Sequence, residues 1–184
     1  HGVGSSYTNK NNHPFVSVDK RIGLVHNGRI NESSFLSKSY ETVTTVDSEI
    51  LLRMYENPYS NELNVNHTPN YINDRLTGIH DIFSVVREGS MAVSIGELHS
   101  DGSRTLFLFR NEKRPIWLVD LRKSLGQIFF FSDPVLWEQA ISNSKQAREV
   151  GYCHRLSELP NDEVWVFKID NKKQRVINEN FDRF

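Results

Sequence analysis

The chain has 184 residues, of which 38% are hydrophobic and 24% charged, with a formal net charge of -1. That length suits one domain with a sizeable core, and that composition excludes a disordered chain. Acids and bases are interspersed, so no basic face calls for nucleic acid, and no apolar run is long enough to cross a bilayer.

Cys153 is the single cysteine. No internal disulfide can form, and a reducing compartment, the cytoplasm, is the simplest home. The seven histidines are scattered, with no His-Glu-x-x-His motif and no paired cysteines. Neither a metal nor another cofactor is expected.

The first twelve residues are rich in Gly, Ser and Asn and read as loop. His13-Pro14 begins an extended stretch, because a residue before proline avoids the helical region. Phe15, Val16 and Val18 predict a strand, Asp19-Lys20 a turn, and residues 21–26 a second strand. Asn27-Gly28 follows directly. Such a pair marks a tight hairpin turn when a second strand comes at once. Here only Arg29-Ile30 precedes Asn31-Glu32-Ser33-Ser34, which reads as a helix start. The segment therefore reads as strand, sharp turn, helix. That geometry would leave the Asn27 side chain and the Gly28 N–H at a strand end, two donors able to stabilise a negatively charged oxygen during acyl transfer. The plainer alternative is a structural turn.

Residues 33–40 predict a short helix. Asp47-Ser48-Glu49 opens a clearer one, with Ile50, Leu51, Met54 and Tyr55 at helical spacing and Asn57-Pro58 as its stop. Residues 57–77 are polar and Asn-rich and read as a surface insertion with little core content. Ile79, Ile82, Phe83 and Val86 share a face of another helix. Residues 90–98 and 105–110 are strands flanking the hairpin signal Ser100-Asp101-Gly102. Residues 116–121 and 127–132 are two more. Asp133-Pro134 then supplies a helix N-cap and a first-turn proline, with the helix running through Ile141. Strands follow near 150–156 and 163–170, and a short last one at 174–177. Phe129-Phe130-Phe131 and Trp165-Val166-Phe167 are apolar at consecutive positions, so both sheet faces must be covered. The expected fold is α+β, a four-layer α/β/β/α sandwich of two mainly antiparallel sheets with helices outside, formed by residues 1–184 as a single domain.

Three short stretches line up: His1-Gly2, Val25-His26-Asn27-Gly28 and Val46-Asp47-Ser48-Glu49. With Asn12-His13-Pro14 between the first two, this ordered set resembles the glutaminase domain of class-II glutamine amidotransferases, most closely the glucosamine-6-phosphate synthase branch. Downstream, Gly89 to Val93, Arg110 with Pro115, Phe131-Ser132-Asp133 and residues 156–169 match the same pattern in order. The resemblance implies the N-terminal-nucleophile hydrolase fold and hydrolysis of glutamine to glutamate and ammonia for transfer to an acceptor. It implies that Asn27 (side chain) and Gly28 (backbone N–H) form the oxyanion hole. Asp47 would hold the α-ammonium of glutamine, its plain alternative being a helix cap, and His1 would lie beside the substrate, its plain alternative being a terminal residue with no role. His13 and His26 are read as packing or orienting groups.

The family's N-terminal cysteine nucleophile has no counterpart here, since Cys153 lies mid-strand and reads as a small buried residue. The expectation is a glutaminase domain whose nucleophile segment lies upstream, inactive as this segment alone. Its partners would be glutamine, the missing segment and an acceptor domain or subunit. The alternative is a non-catalytic domain of the same fold that binds glutamine or a protein partner.

Overall fold

Side-chain alternation with a period of two sets the centre of the fold. In β2 (Ile22–Arg29) the side chains of Ile22, Leu24 and His26 are buried, while Val25 and Asn27 point to the opposite face and are exposed. A computed structural model of the chain describes residues 11–57, 71–122, 125–145, 148, 156–161, 163–170 and 175–181. Before β2 comes β1 (Phe15–Val16); after it come β3 (Ser90–Leu98), β4 (Arg104–Arg110), β5 (Trp117–Leu121), β6 (Gln127–Phe131), β7 (Leu156–Glu158), β8 (Val164–Asp170) and β9 (Arg175–Phe181). The helices are α1 (Ser33–Leu36), α2 (Asp47–Glu56), α3 (Tyr71–Val85) and α4 (Pro134–Asn143).

The strands form a six-stranded sheet in the order β1-β2-β3-β4-β8-β9 and a three-stranded sheet in the order β6-β5-β7. Every pairing is antiparallel. The α+β class and the two antiparallel sheets are as the sequence led one to expect. One core joins the large sheet to α2 and α3, with Leu24, Val93, Phe107 and Val166 meeting Leu51, Tyr55, Ile79 and Ile82. A second joins the other face of that sheet to the small one, through Ala92, Leu108 and Phe167 against Ile116, Leu118 and Leu159. On the small sheet, α4 lays Trp137 over Phe129 and Phe131, with ring centroids 5.5 and 6.2 Å apart. Each fully buried large apolar side chain stabilises the fold by roughly 1.5–3 kcal/mol.

Local signals hold where neighbouring residues satisfy them. Asp133 caps α4 by accepting the Val135 N–H at 2.9 Å, with Pro134 in the first turn. The β3–β4 hairpin closes on Gly102 at φ 82°, with Asp101 accepting the Ser103 N–H. Lys20 takes φ 61° in the turn between β1 and β2, where Ser17 N–H donates to the Ile22 carbonyl.

Three expectations change. Asn27-Gly28 is not a turn: β2 runs through both, pairing Asn27 with Ala92 and Gly28 with Met91 up to Arg29 with Ser90. The β3 ladder satisfies backbone groups that a turn would otherwise have closed locally, so tertiary pairing overrides the dipeptide preference. The short helix spans Ser33–Leu36 and ends before residue 40, its next residues closing by turn hydrogen bonds onto Ser33 and Leu36. The helix opened by Asp47-Ser48-Glu49 is where it was expected, with Asp47 its first residue; the cap is Val46 in an extended conformation, so the plain alternative of Asp47 as a cap does not hold. Within the stretch read as a polar insertion, α3 already begins at Tyr71; residues 58–70 lie outside the described residues. Arg75 explains the hidden start. Its guanidinium sits 4.9 Å from the Tyr55 ring centroid and 3.0 Å from Glu97, whose other oxygen accepts the Tyr55 hydroxyl at 2.9 Å. A residue that reads as a solvated cation thus clamps α3 to α2 and β3.

Candidate active site

Asn27 and Gly28 lie near the end of β2, where the strand leaves the sheet towards α1. Asn27 faces the gap between the two sheets. It opens into a cavity of about 200 Å³ lined by Val25, His26, Ala92, Ser94, Phe130 and Ser132 among others. Its side chain makes no hydrogen bond to another described residue. Phe130 on the far wall is 41% exposed and Val25 38%, so apolar surface rims this polar side chain.

Gly28 has φ 156° and is roofed by the Ser90 peptide. A β-carbon built there would stand 1.8 Å from the Ser90 carbonyl oxygen and 2.7 Å from His26 Nε2. Only glycine lets the two strands approach so closely. Ser90 is held on both sides of this contact, since its carbonyl lies 3.2 Å from His26 Nε2 and its hydroxyl accepts the Arg29 N–H at 3.2 Å.

The triplet opening α2 anchors a different segment with each residue. Asp47 Oδ2 accepts the Ile30 N–H at 2.8 Å, tying the helix start to the chain two residues past Gly28. Ser48 Oγ lies 3.0 Å from His26 Nδ1. Glu49 accepts the backbone N–H groups of Val43 and Thr44 at 2.9 and 2.7 Å and the Thr44 hydroxyl at 2.7 Å. Burial alone would raise the Glu49 pKa; these hydrogen bonds, with Arg53 beside it, outweigh burial and hold it below the ordinary value.

Asp47 is 6% exposed and still lines a polar cavity of about 410 Å³ with Arg29, Asn31, Ser33, Thr45 and Glu88. A carboxylate at a helix start is stabilised by the helix dipole and stays available as a fixed negative charge. The cavity lined by Asn27 does not include Asp47, and the cavity lined by Asp47 includes neither Asn27 nor Gly28. These two cavities share no lining residue, and the two sets meet through the backbone from Gly28 to Ile30.

His26 is 7% exposed, and burial, with Arg114 adding to it, lowers its pKa; Asp47 and the Ser90 carbonyl pull the other way. His13 packs edge-on against Phe15 at 5.3 Å, in keeping with a packing role. His1 and Cys153 lie outside the described residues. Among the described residues, no group of three or more His, Cys, Asp and Glu side chains is placed to hold a metal ion, and no helix is long and apolar enough to cross a membrane.

Sequence reasoning assigned no role to Ser90, Arg29 or Glu88. Ser90 is 64 residues from His26 in the chain, and no local pattern connects them. No protein-family model matches the chain, and no curated protein matches it.

Proposed function

We propose that this chain is the glutaminase domain of a class-II glutamine amidotransferase. The observation that carries the reading is the tie between Asp47 and the end of β2. A buried carboxylate, anchored by the Ile30 N–H at 2.8 Å, stands next to a strand end whose Gly28 no other residue can replace. A carboxylate tied to the chain two residues past Gly28, with an Asn27 side chain that bonds no other described residue, suits an α-amino acid whose carboxamide is under attack.

In this reading glutamine and water give glutamate and ammonia. The α-ammonium pairs with Asp47. As the carboxamide carbon becomes tetrahedral, the Asn27 amide and the Gly28 N–H donate to the oxygen that gains charge. These donors are fixed in advance, so they favour the transition state over the bound substrate. The nucleophile would come from outside these 184 residues, because the sole thiol is Cys153. The acceptor of ammonia would bind another domain or subunit. A cytoplasmic location fits the single cysteine.

A second reading has its own support: Asn27 and Asp47 line different cavities. A domain that binds glutamine without hydrolysing it needs only the Asp47 side. One experiment separates the two. The intact protein is incubated with glutamine while glutamate and ammonia are measured, and binding is followed by calorimetry. Equal release of glutamate and ammonia supports the enzyme. Binding without turnover supports the second reading, and absence of both overturns the two together.

A further inference from the structure

Two buried polar groups, Ser48 and His26, connect Asp47 to the roof over Gly28. Ser48, 1% exposed, lies 3.3 Å from Asp47 Oδ1 and 3.0 Å from His26 Nδ1. His26 Nε2 lies 3.2 Å from the Ser90 carbonyl oxygen, the atom that a β-carbon at Gly28 would meet first. The chain of contacts therefore runs from the carboxylate on α2, through a hydroxyl and an imidazole, to the peptide that fixes the end of β2.

We propose that His26 and Ser48 are positioning residues, a hydrogen-bonded strut that holds the Asp47 carboxylate and the Gly28 backbone at one spacing and reports the charge of His26 to Asp47. The proposal rests on the glutaminase reading for what that spacing serves.

The proton positions follow from donor and acceptor chemistry. A carbonyl oxygen only accepts, so Nε2 carries the proton and donates to Ser90. In the neutral imidazole Nδ1 then accepts, and the single Ser48 proton goes to it. Asp47 Oδ1 keeps its lone pairs for a ligand ammonium. When His26 is protonated, Nδ1–H donates to Ser48 Oγ, and the Ser48 proton turns to Asp47 Oδ1. The carboxylate then spends a lone pair internally and faces a new positive charge nearby. Both changes weaken ammonium binding. The groups that face His26 are Asp47 from α2, Arg114 after β4 and His13 before β1. Of these, Asp47 alone favours the imidazolium, and burial opposes it.

The test uses Ser48→Ala and His26→Gln in the intact protein. Each variant loses a hydrogen bond tied to a charged group, which corresponds to about a tenfold effect. We expect the glutamine KM to rise and kcat to fall, each by about that factor per folded molecule. In the wild type KM should also rise as the pH falls through the folded-state pKa of His26, which burial holds below its ordinary value, and this rise should vanish in His26→Gln. A role in folding alone would lower the folded fraction and leave both constants unchanged. Constants within about twofold of the wild type in both variants, with the pH dependence of KM retained, overturn the strut. A second readout is independent of turnover. Long-range ¹H–¹⁵N correlation at pH above the histidine range should show His26 as the Nε2–H tautomer. The Nδ1–H tautomer overturns the strut even in a protein that hydrolyses glutamine. A wild type without glutaminase activity overturns the function instead, and the tautomer then decides the strut by itself.

Discussion

Gly28 and Ser90 approach so closely that a β-carbon on Gly28 would lie 1.8 Å from the Ser90 carbonyl oxygen and 2.6 Å from its carbonyl carbon. The obstacle is backbone, which cannot swing aside as a side chain can. The glycine is therefore required by the β2–β3 approach, whatever the site does. Gly28→Ala combines this overlap with an unfavourable φ of 156°. It should destabilise the fold by about 3 kcal/mol or more, from backbone strain and overpacking together. Denaturant titration checks this, and a loss below about 1 kcal/mol would mean that β3 yields at Ser90.

Asp47→Asn tests the carboxylate. An asparagine oxygen can still accept the Ile30 N–H, so the anchor at 2.8 Å has a neutral replacement. What is lost is the charge at the start of α2, worth about 0.3–1 kcal/mol as a helix-dipole contribution. Binding of an ammonium loses its counter-charge entirely. Glutamine affinity of the intact protein should fall by about tenfold or more, the scale of a charge-assisted hydrogen bond, while the melting temperature moves little. Unchanged glutamine affinity, measured by calorimetry, would leave Asp47 as an anchor for Ile30 alone.

The sequence made some of this legible and hid the rest for definite reasons. The α4 cap and the β3–β4 hairpin are decided by residues within a turn of one another. Asp133 bonds Val135 and Asp101 bonds Ser103, so the pattern and its cause lie in the same few letters. Asn27-Gly28 has an equally strong local preference, but its partners are Ala92 and Met91 on a distant strand. Arg75 looked like part of a solvated loop because its contacts, Tyr55 and Glu97, are also remote. The site shows the same division. Asn27, Gly28 and Asp47 stand out as residue types in sequence. The strut does not, because Ser48 to His26 and His26 to Ser90 are both tertiary contacts. Even the motif residues serve more than one purpose: Glu49 holds the loop at Val43 and Thr44 rather than any ligand.

Acid should weaken the fold in two windows. The folded-state pKa of His26 is lowered, chiefly by burial, so the unfolded chain binds its proton more readily. Stability from this group is complete above the unfolded value, about 6.5, and is lost progressively as the pH falls below it. Glu49 acts lower on the scale. Its folded pKa is depressed by the hydrogen bonds of Val43 and Thr44 against the opposing effect of burial. Its contribution is present above the unfolded carboxylate value, about 4.3, and is lost as the pH falls through the folded one. Melting temperatures measured from pH 8 to pH 4 should therefore begin to fall near pH 6.5, before the carboxylates titrate. His26→Gln should shrink that first decline to the part carried by His13, whose folded pKa burial also lowers, and leave the second. A melting curve flat down to pH 5 in the wild type would show that His26 is charged in the folded protein.

Asn27→Ala separates catalysis from structure most sharply. The Asn27 side chain is exposed to the cavity between the sheets and bonds no other described residue. Its truncation should therefore cost the fold within about 0.5 kcal/mol, as for a surface substitution away from special features. An oxyanion donor acts on the transition state, where its loss lowers kcat by about 10²-fold or more and changes KM much less. Gly28 stays in place in this variant, because β2 is held there by its pairing with Met91. The expected pattern for the intact protein is an unchanged denaturation midpoint, a near-normal glutamine KM and a collapse in kcat. Full turnover per folded molecule would remove Asn27 from the chemistry, since nothing in its packing could then account for the effect being absent.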